Sequence, residues 1–189
     1  MLRFPLSPPL SRRAIGVALA VTSTVMLGAC SPKYDWRTVN DDAGRYSVNF
    51  PEKPSLDVRN VDVGGGVQLP MRMQTASVKN AVFAVGAVVL PDAQPATRQA
   101  ALDFVTQGIA RNVGPGGTLS AMQVKGADGR TLAAREWRSS GLVPGTKQSR
   151  TVIARFVSTD TRVYEAVIIS EHAPPDEEVH QFLDSFKPF

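Results

Sequence analysis

The sequence predicts an α+β domain, an antiparallel β-sheet flanked by helices, preceded by an N-terminal signal segment. Three observations carry that prediction. Eight segments after residue 43 read as strands, through alternation of apolar and polar residues or through apolar runs bounded by turn residues. Two segments, Pro95 to Val113 and the stretch opening at Pro174-Pro175, place apolar residues at helical spacing. An uncharged run, Ala14 to Ala29, follows Arg3, Arg12 and Arg13 with no acid before it.

That run has the form of an export signal: a positive n-region, a short apolar core and small residues at the end. Its sixteen residues include several Ala, Gly, Ser and Thr. They fall short of the roughly 20 mostly apolar residues that span a bilayer. The run closes on Leu27-Gly28-Ala29-Cys30, which resembles the lipobox of bacterial lipoproteins. The resemblance implies that a signal peptidase recognises Leu27, Gly28 and Ala29 and leaves Cys30 as the mature N-terminus. It further implies that Cys30 carries a diacylglycerol thioether and an acylated amine, so that membrane anchoring rests on more than one chain. Cys30 is the only cysteine of the chain, so no disulfide forms within it. Ser31 follows where enterobacterial lipoproteins retained at the inner membrane have Asp. By that resemblance the destination is the outer membrane, periplasmic face.

Three regions follow. Residues 1–29 are the lipoprotein signal peptide, 30–42 the lipidated N-terminus and a short tether, and 43–189 a single α+β globular domain. The whole chain has 21 basic and 17 acidic residues; without Arg3, Arg12 and Arg13 it has 18 against 17. The positive charge thus belongs largely to the leader. No run of like charges marks a nucleic-acid footprint or a polybasic membrane patch. Within the tether, Tyr34 and Trp36 are either membrane-interface aromatics at headgroup level or a latch packed onto the domain.

The strand at Gly44 to Phe50 turns Tyr46, Val48 and Phe50 to one face and is stopped by Pro51. Leu56 to Val63 is a weaker alternating strand. Gly64-Gly65-Gly66 supplies a hairpin turn, and Val67 to Gln74 the return strand. Ala81 to Leu90 is apolar on both faces and belongs in the middle of the sheet. In the first helix Leu102, Val105, Ile109 and Val113 form the stripe, with Ala101 and Phe104 beside it. Gly108, costly inside a helix, suggests close contact with the sheet there. Strands at Thr118 to Lys125, Arg130 to Ser139, Lys147 to Ser158 and Arg162 to Ser170 follow, joined by short turns that imply antiparallel pairing. The last helix has Asp176, Glu177 and Glu178 in its first turn and buries Val179, Phe182, Leu183 and Phe186.

Tyr46-Ser47-Val48-Asn49-Phe50-Pro51, the mid-chain helix, Arg162-Val163-Tyr164 and the closing Phe182 to Lys187 together resemble a known pattern. It is the α/β/α sandwich of the photosystem extrinsic protein PsbP and the Ran-binding Mog proteins. Tyr34-Asp35-Trp36-Arg37 after the lipobox resembles uncharacterised proteobacterial lipoproteins. The resemblance implies a non-enzymatic binding or assembly role and transfers no site residue.

Candidate chemistry is sparse. His172 and His180, with Glu171, Asp176 and Glu177 nearby, are the candidate metal ligands, but Pro174-Pro175 separates them and no zinc spacing is present. Asn112 to Gly117 is glycine-rich yet follows a helix, the wrong order for a phosphate loop. Ser139 and Ser140 could join His172 and Asp160 in a triad only on paper. Met71, Met73 and Met122 read as packing. Arg130, Arg135, Arg138, Arg150, Arg155 and Arg162 alternate along the later strands and either gather into an anion-attracting face or are balanced by Glu136, Glu165 and Glu171. The sequence therefore leads to a non-enzymatic, lipid-anchored cell-envelope module that binds or assists assembly, without catalytic residues, cofactor or nucleic-acid partner. A partner protein in the envelope is the expected target. The alternative is a periplasmic domain that binds a small ligand or metal.

Overall fold

The structure, a computed structural model, describes residues 34–113, 116–143 and 146–189. Leu27, Gly28, Ala29 and Cys30 lie outside the described residues. The folded unit runs from Tyr34 to Phe189.

Strands dominate it: β1 Arg37–Asp41, β2 Tyr46–Phe50, β3 Ser55–Asp62, β4 Gln68–Val78, β5 Ala81–Val89, β6 Thr118–Lys125, β7 Thr131–Leu142, β8 Ser149–Ser158, β9 Arg162–Ser170 and β10 Lys187–Pro188. Helix α1, Pro95–Val113, follows β5. A single turn, α2 Asp176–Val179, continues into a π-helical turn, His180–Asp184. Seven strands pair antiparallel in the order β3-β4-β5-β9-β8-β7-β6, and β1-β2-β10 form a small second sheet.

The protein is therefore a β-rich fold of two antiparallel sheets, not the helix-flanked α+β sandwich that the sequence suggests. Two local causes produce the difference. The polar stretch that reads as a tether supplies β1, which pairs with β2 from Arg37↔Phe50 to Asp41↔Tyr46. The closing apolar stripe is buried as expected, but its chain winds through one α-turn and one π-turn before extending again at Lys187. What covers that face of the large sheet is mainly the small sheet. Only the opposite face carries a helix of more than one turn.

Period-2 alternation sorts the side chains of the central strands between these two faces. On β9, Tyr164, Ala166 and Ile168 face the small sheet, and Val163 and Val167 face α1. The first face is aromatic: Phe182 packs on Phe50 at 5.4 Å and edge-on to Phe83 at 5.3 Å, and Phe186 lies between Tyr46 and Tyr164. The second holds Ala101, Val105 and Ile109 of α1 against Val88, Val152, Phe156 and Val163. Each large side chain so buried contributes about 1.5–3 kcal/mol relative to exposure.

Tyr34 and Trp36 lie on the aromatic face. Their rings stand 6.3 and 6.2 Å from Phe83, and the Tyr34 hydroxyl donates to Glu178 Oε2 at 2.5 Å. Gly108 departs from expectation. A Cβ added there would meet only Arg111 Nη2, at 4.0 Å, so the glycine does not mark a close approach to the sheet.

Candidate functional site

One end of the large sheet forms a cleft of about 450 Å³. Four turns and termini converge on it: the β1–β2 turn with Arg45, the first turn of α1 with Arg98, the β6–β7 turn with Asp128 and Arg130, and the β8–β9 turn from Ser158 to Arg162. Leu132, Pro188 and Phe189 supply an apolar wall. The side chains of the lining include four arginines and two aspartates.

Local chemistry fixes each turn. Gly129 takes φ +81°, the left-handed region that glycine enters without steric cost, and the Asp128 carboxylate accepts the Arg130 backbone N–H at 3.0 Å. That bond and a second from the Arg130 guanidinium at 2.5 Å hold the Asp128 carboxyl below its ordinary pKa. The β8–β9 turn closes through Thr159 N–H to the Arg162 carbonyl at 2.8 Å. Arg98 reaches Asp160 at 3.4 Å.

Arg45 and Arg162 are placed differently. Arg45 has φ +58°, strained for a residue with a side chain. Its carbonyl accepts the Tyr164 hydroxyl at 3.0 Å and the Phe189 N–H at 2.9 Å. Its own Nε donates to the Phe189 carbonyl at 3.0 Å, with the guanidinium 5.7 Å from the Phe189 ring centre. Arg162 donates to the Ala43 carbonyl at 2.9 Å and to Thr161 Oγ1 at 3.1 Å, while its Nε is buried with no partner. Among the described residues Arg162 forms no ion pair. Burial pushes the Tyr164 phenol up to about 12, against the opposing pull of Arg162 and Arg45. It is a neutral strut beneath the cleft.

Two further polar clusters tie the large sheet to the small sheet and to the π-helical turn. Buried Asp41 accepts Arg72 Nη2 at 3.1 Å, Gln74 Nε2 at 3.2 Å and Gly44 N–H at 2.8 Å. Burial, and then the Asp41 charge, raise the pKa of the neighbouring Tyr46 phenol far above its ordinary value. Buried Arg155 joins Glu136 at 2.9 Å to Asp184 at 2.6 Å, and Arg138 adds a bond to Glu136 at 2.7 Å. Burial alone would raise Glu136, but the hydrogen bonds from Arg155 and Arg138 carry it below its ordinary value. Asp184 is lowered in the same way by Arg155 and His180.

The other residues singled out from sequence separate. His172 and His180 are both exposed. His180 Nδ1 pairs with Asp184 Oδ2 at 2.7 Å, one turn downstream and not with Asp176. Among the described residues no group of three or more His, Cys, Asp and Glu side chains could hold a metal. Ser140 shares a hydrogen bond with Thr151 and Ser139 donates to the Gly116 carbonyl. Asp160 lies beyond the far end of β8, about 23 Å along the strand from Thr151 at 3.3 Å per residue. No triad assembles. Met71 is in the core and Met73 and Met122 pack against it.

Of the six arginines picked out by strand alternation, Arg130 and Arg162 reach the cleft. Arg138 and Arg155 are instead bonded to carboxylates. Arg45 and Arg98 are not legible as site residues, because their convergence with Arg130 and Arg162 is a product of topology. No family model matches the chain, and no curated protein matches it.

Proposed function

We propose that the protein is a lipid-anchored, non-enzymatic binding module of the cell envelope, held by Cys30 at the periplasmic face of the outer membrane. The observation that carries this reading is Leu27-Gly28-Ala29-Cys30 behind a positive n-region and an uncharged run. The packing of Tyr34 and Trp36 onto Phe83 supports a module without a long free tether. Only three residues separate Tyr34 from Cys30. No membrane-crossing helix is present among the described residues. The test compares wild type with Cys30→Ser by membrane fractionation and intact mass. Wild type is expected in the membrane fraction, lacking residues 1–29 and carrying acyl chains, with the variant unacylated. A soluble, unacylated wild-type chain that keeps its leader sinks the proposal.

A second reading, a small-ligand-binding domain, is favoured by the arginine-lined cleft. Its volume is within the roughly 300–1,000 Å³ usual for small-molecule sites. The two readings are compatible, since an anchored module can present such a cleft.

A further inference from the structure

We propose that the cleft formed by Arg45, Arg98, Arg130 and Arg162 binds a soluble small molecule that joins a dianionic phosphate group to an apolar body. The inference rests on the small-ligand reading and is independent of the lipid anchor.

Charge comes first. The side chains of the lining carry more guanidinium than carboxylate, which suits an anion, and a phosphomonoester offers roughly −1.5 to −2 near neutral pH, more than a single carboxylate. Next comes unspent bonding capacity. Among the described residues Arg162 bonds only to the Ala43 carbonyl and Thr161 Oγ1, both neutral. Nη1 and Nη2 of Arg162 each spend one of two N–H donors on the protein, which leaves one on each for a phosphate oxygen. Guanidinium groups also match phosphate geometry bidentately, as lysines do not. Shape agrees with both: Leu132, Pro188 and Phe189 give the cleft an apolar side next to its charged one. Such a division suits a ligand with one charged end.

Position argues against a lipid headgroup as the source of the phosphate. The chain enters the fold at Tyr34 and Trp36, which pack on Phe83, and Phe83 pairs with Ile168. Arg162 lies six residues from Ile168 along the same strand, about 20 Å away. The cleft and the chain entry therefore occupy opposite ends of β9.

Calorimetric titration of the purified full-length protein in detergent tests the proposal, with phenyl phosphate, benzoate and phenol as probes. Phenyl phosphate is expected to bind saturably and more tightly than benzoate, with phenol not binding, and its affinity should fall as salt rises. Arg162→Gln should weaken it at least about tenfold, the worth of one charge-assisted hydrogen bond. Because Arg162 also holds the Ala43 carbonyl, Arg130→Gln is the second variant. The Arg130 side chain is 77% exposed, and its loss should weaken binding without lowering the melting temperature. No saturable binding of phenyl phosphate, equal binding of benzoate, or indifference to both substitutions overturns the proposal. So does arginine-dependent binding to phosphatidylglycerol vesicles without binding of phenyl phosphate. The titration uses detergent-solubilised chain, so its result stands whether or not Cys30 is acylated.

Discussion

On the face toward the small sheet, the seven-stranded sheet holds Arg72 and Gln74 against Asp41 of β1, and Arg155 against Glu136 and Asp184. Beneath α1 it holds Glu165 beside Phe156, Val163 and Val167, with no hydrogen-bond or ion-pair partner among the described residues. Its burial alone lifts Glu165 to about 7. The first face keeps its charges and neutralises them with counter-charges. The second keeps a carboxyl by letting it stay protonated, which is the less costly course in an apolar setting. Gly86 makes the room: a Cβ there would come within 2.9 Å of Glu165 Cγ and Oε1 and 2.8 Å of Met71 Cε.

The paired face should break hardest. Arg155→Ala takes the shared cation from Glu136, which keeps Arg138, and from half-exposed Asp184, which keeps His180, and loss of hydrogen bonds to charged groups costs about 1.5–3 kcal/mol. Urea unfolding at neutral pH reads that loss directly. The pH profile provides the sign. Glu136 and Asp184 have folded pKa values below their unfolded ones, so their contribution is full above the ordinary carboxylate range and disappears as pH falls through the folded values. Wild type should therefore lose stability on acidification more steeply than Arg155→Ala. Parallel acid limbs for the two proteins would show that the network contributes little.

The helix-covered face should respond with the opposite sign. Glu165 ionises at about 4.5 when unfolded and about 7 when folded, so the folded state holds the extra proton between those values. Stability contributed there is present below the unfolded pKa and declines as pH rises to about 7. Glu165→Gln removes the titration. At pH 4 it should be near neutral. Well above pH 7 it should stabilise the protein by roughly 3 kcal/mol, because each tenfold difference in proton affinity between the two states is worth about 1.36 kcal/mol. A variant no more stable than wild type in the alkaline range means that the carboxylate finds solvent or a counter-charge.

How much of this is legible in sequence differs between the faces. Ala101, Val105 and Ile109 of α1 and the apolar centre of β5 follow from periodicity, because their burial is carried by apolar residues alone. β1 gives no such pattern: of Arg37-Thr38-Val39-Asn40-Asp41, Val39 is half-buried and the one fully buried residue is an acid. A buried Asp whose partners, Arg72 and Gln74, lie some thirty positions away carries no local signal. Glu165 interrupts the apolar pattern of β9 and reads as a counter-charge to the strand arginines, since sequence cannot show that Gly86 is opposite it. Arg45 and Arg98 of the cleft are hidden for the same reason. Each comes from a different connection, and only the strand order brings the connections together.

Gly86→Ala sharpens the comparison at the next scale. It presses on the Glu165 stem and on Met71, and overpacking of this kind costs typically about 1–3 kcal/mol. Thermal unfolding should show the loss. The added methyl should also alter the Glu165 titration, so the loss should vary with pH between the two pKa values where a purely steric clash would not.

The smallest effect belongs to α1 itself, at the glycine that sequence assigns to a close contact. Gly108 is within the helix, where glycine is about 0.8–1 kcal/mol less favourable than alanine. The only atom near an added Cβ is the end of Arg111, at van der Waals distance. Gly108→Ala should therefore stabilise the protein by about 0.4–1 kcal/mol, because the substitution restricts the unfolded chain and strains nothing in the folded one. The gain should be the same at pH 4 and pH 8, since no atom of Glu165 lies within 4 Å of the added Cβ. It is thus the control for the other two substitutions on this side of the sheet. A loss of stability, or a gain that follows the titration of Glu165, would mean that α1 sits closer to the sheet at Gly108 than its geometry shows.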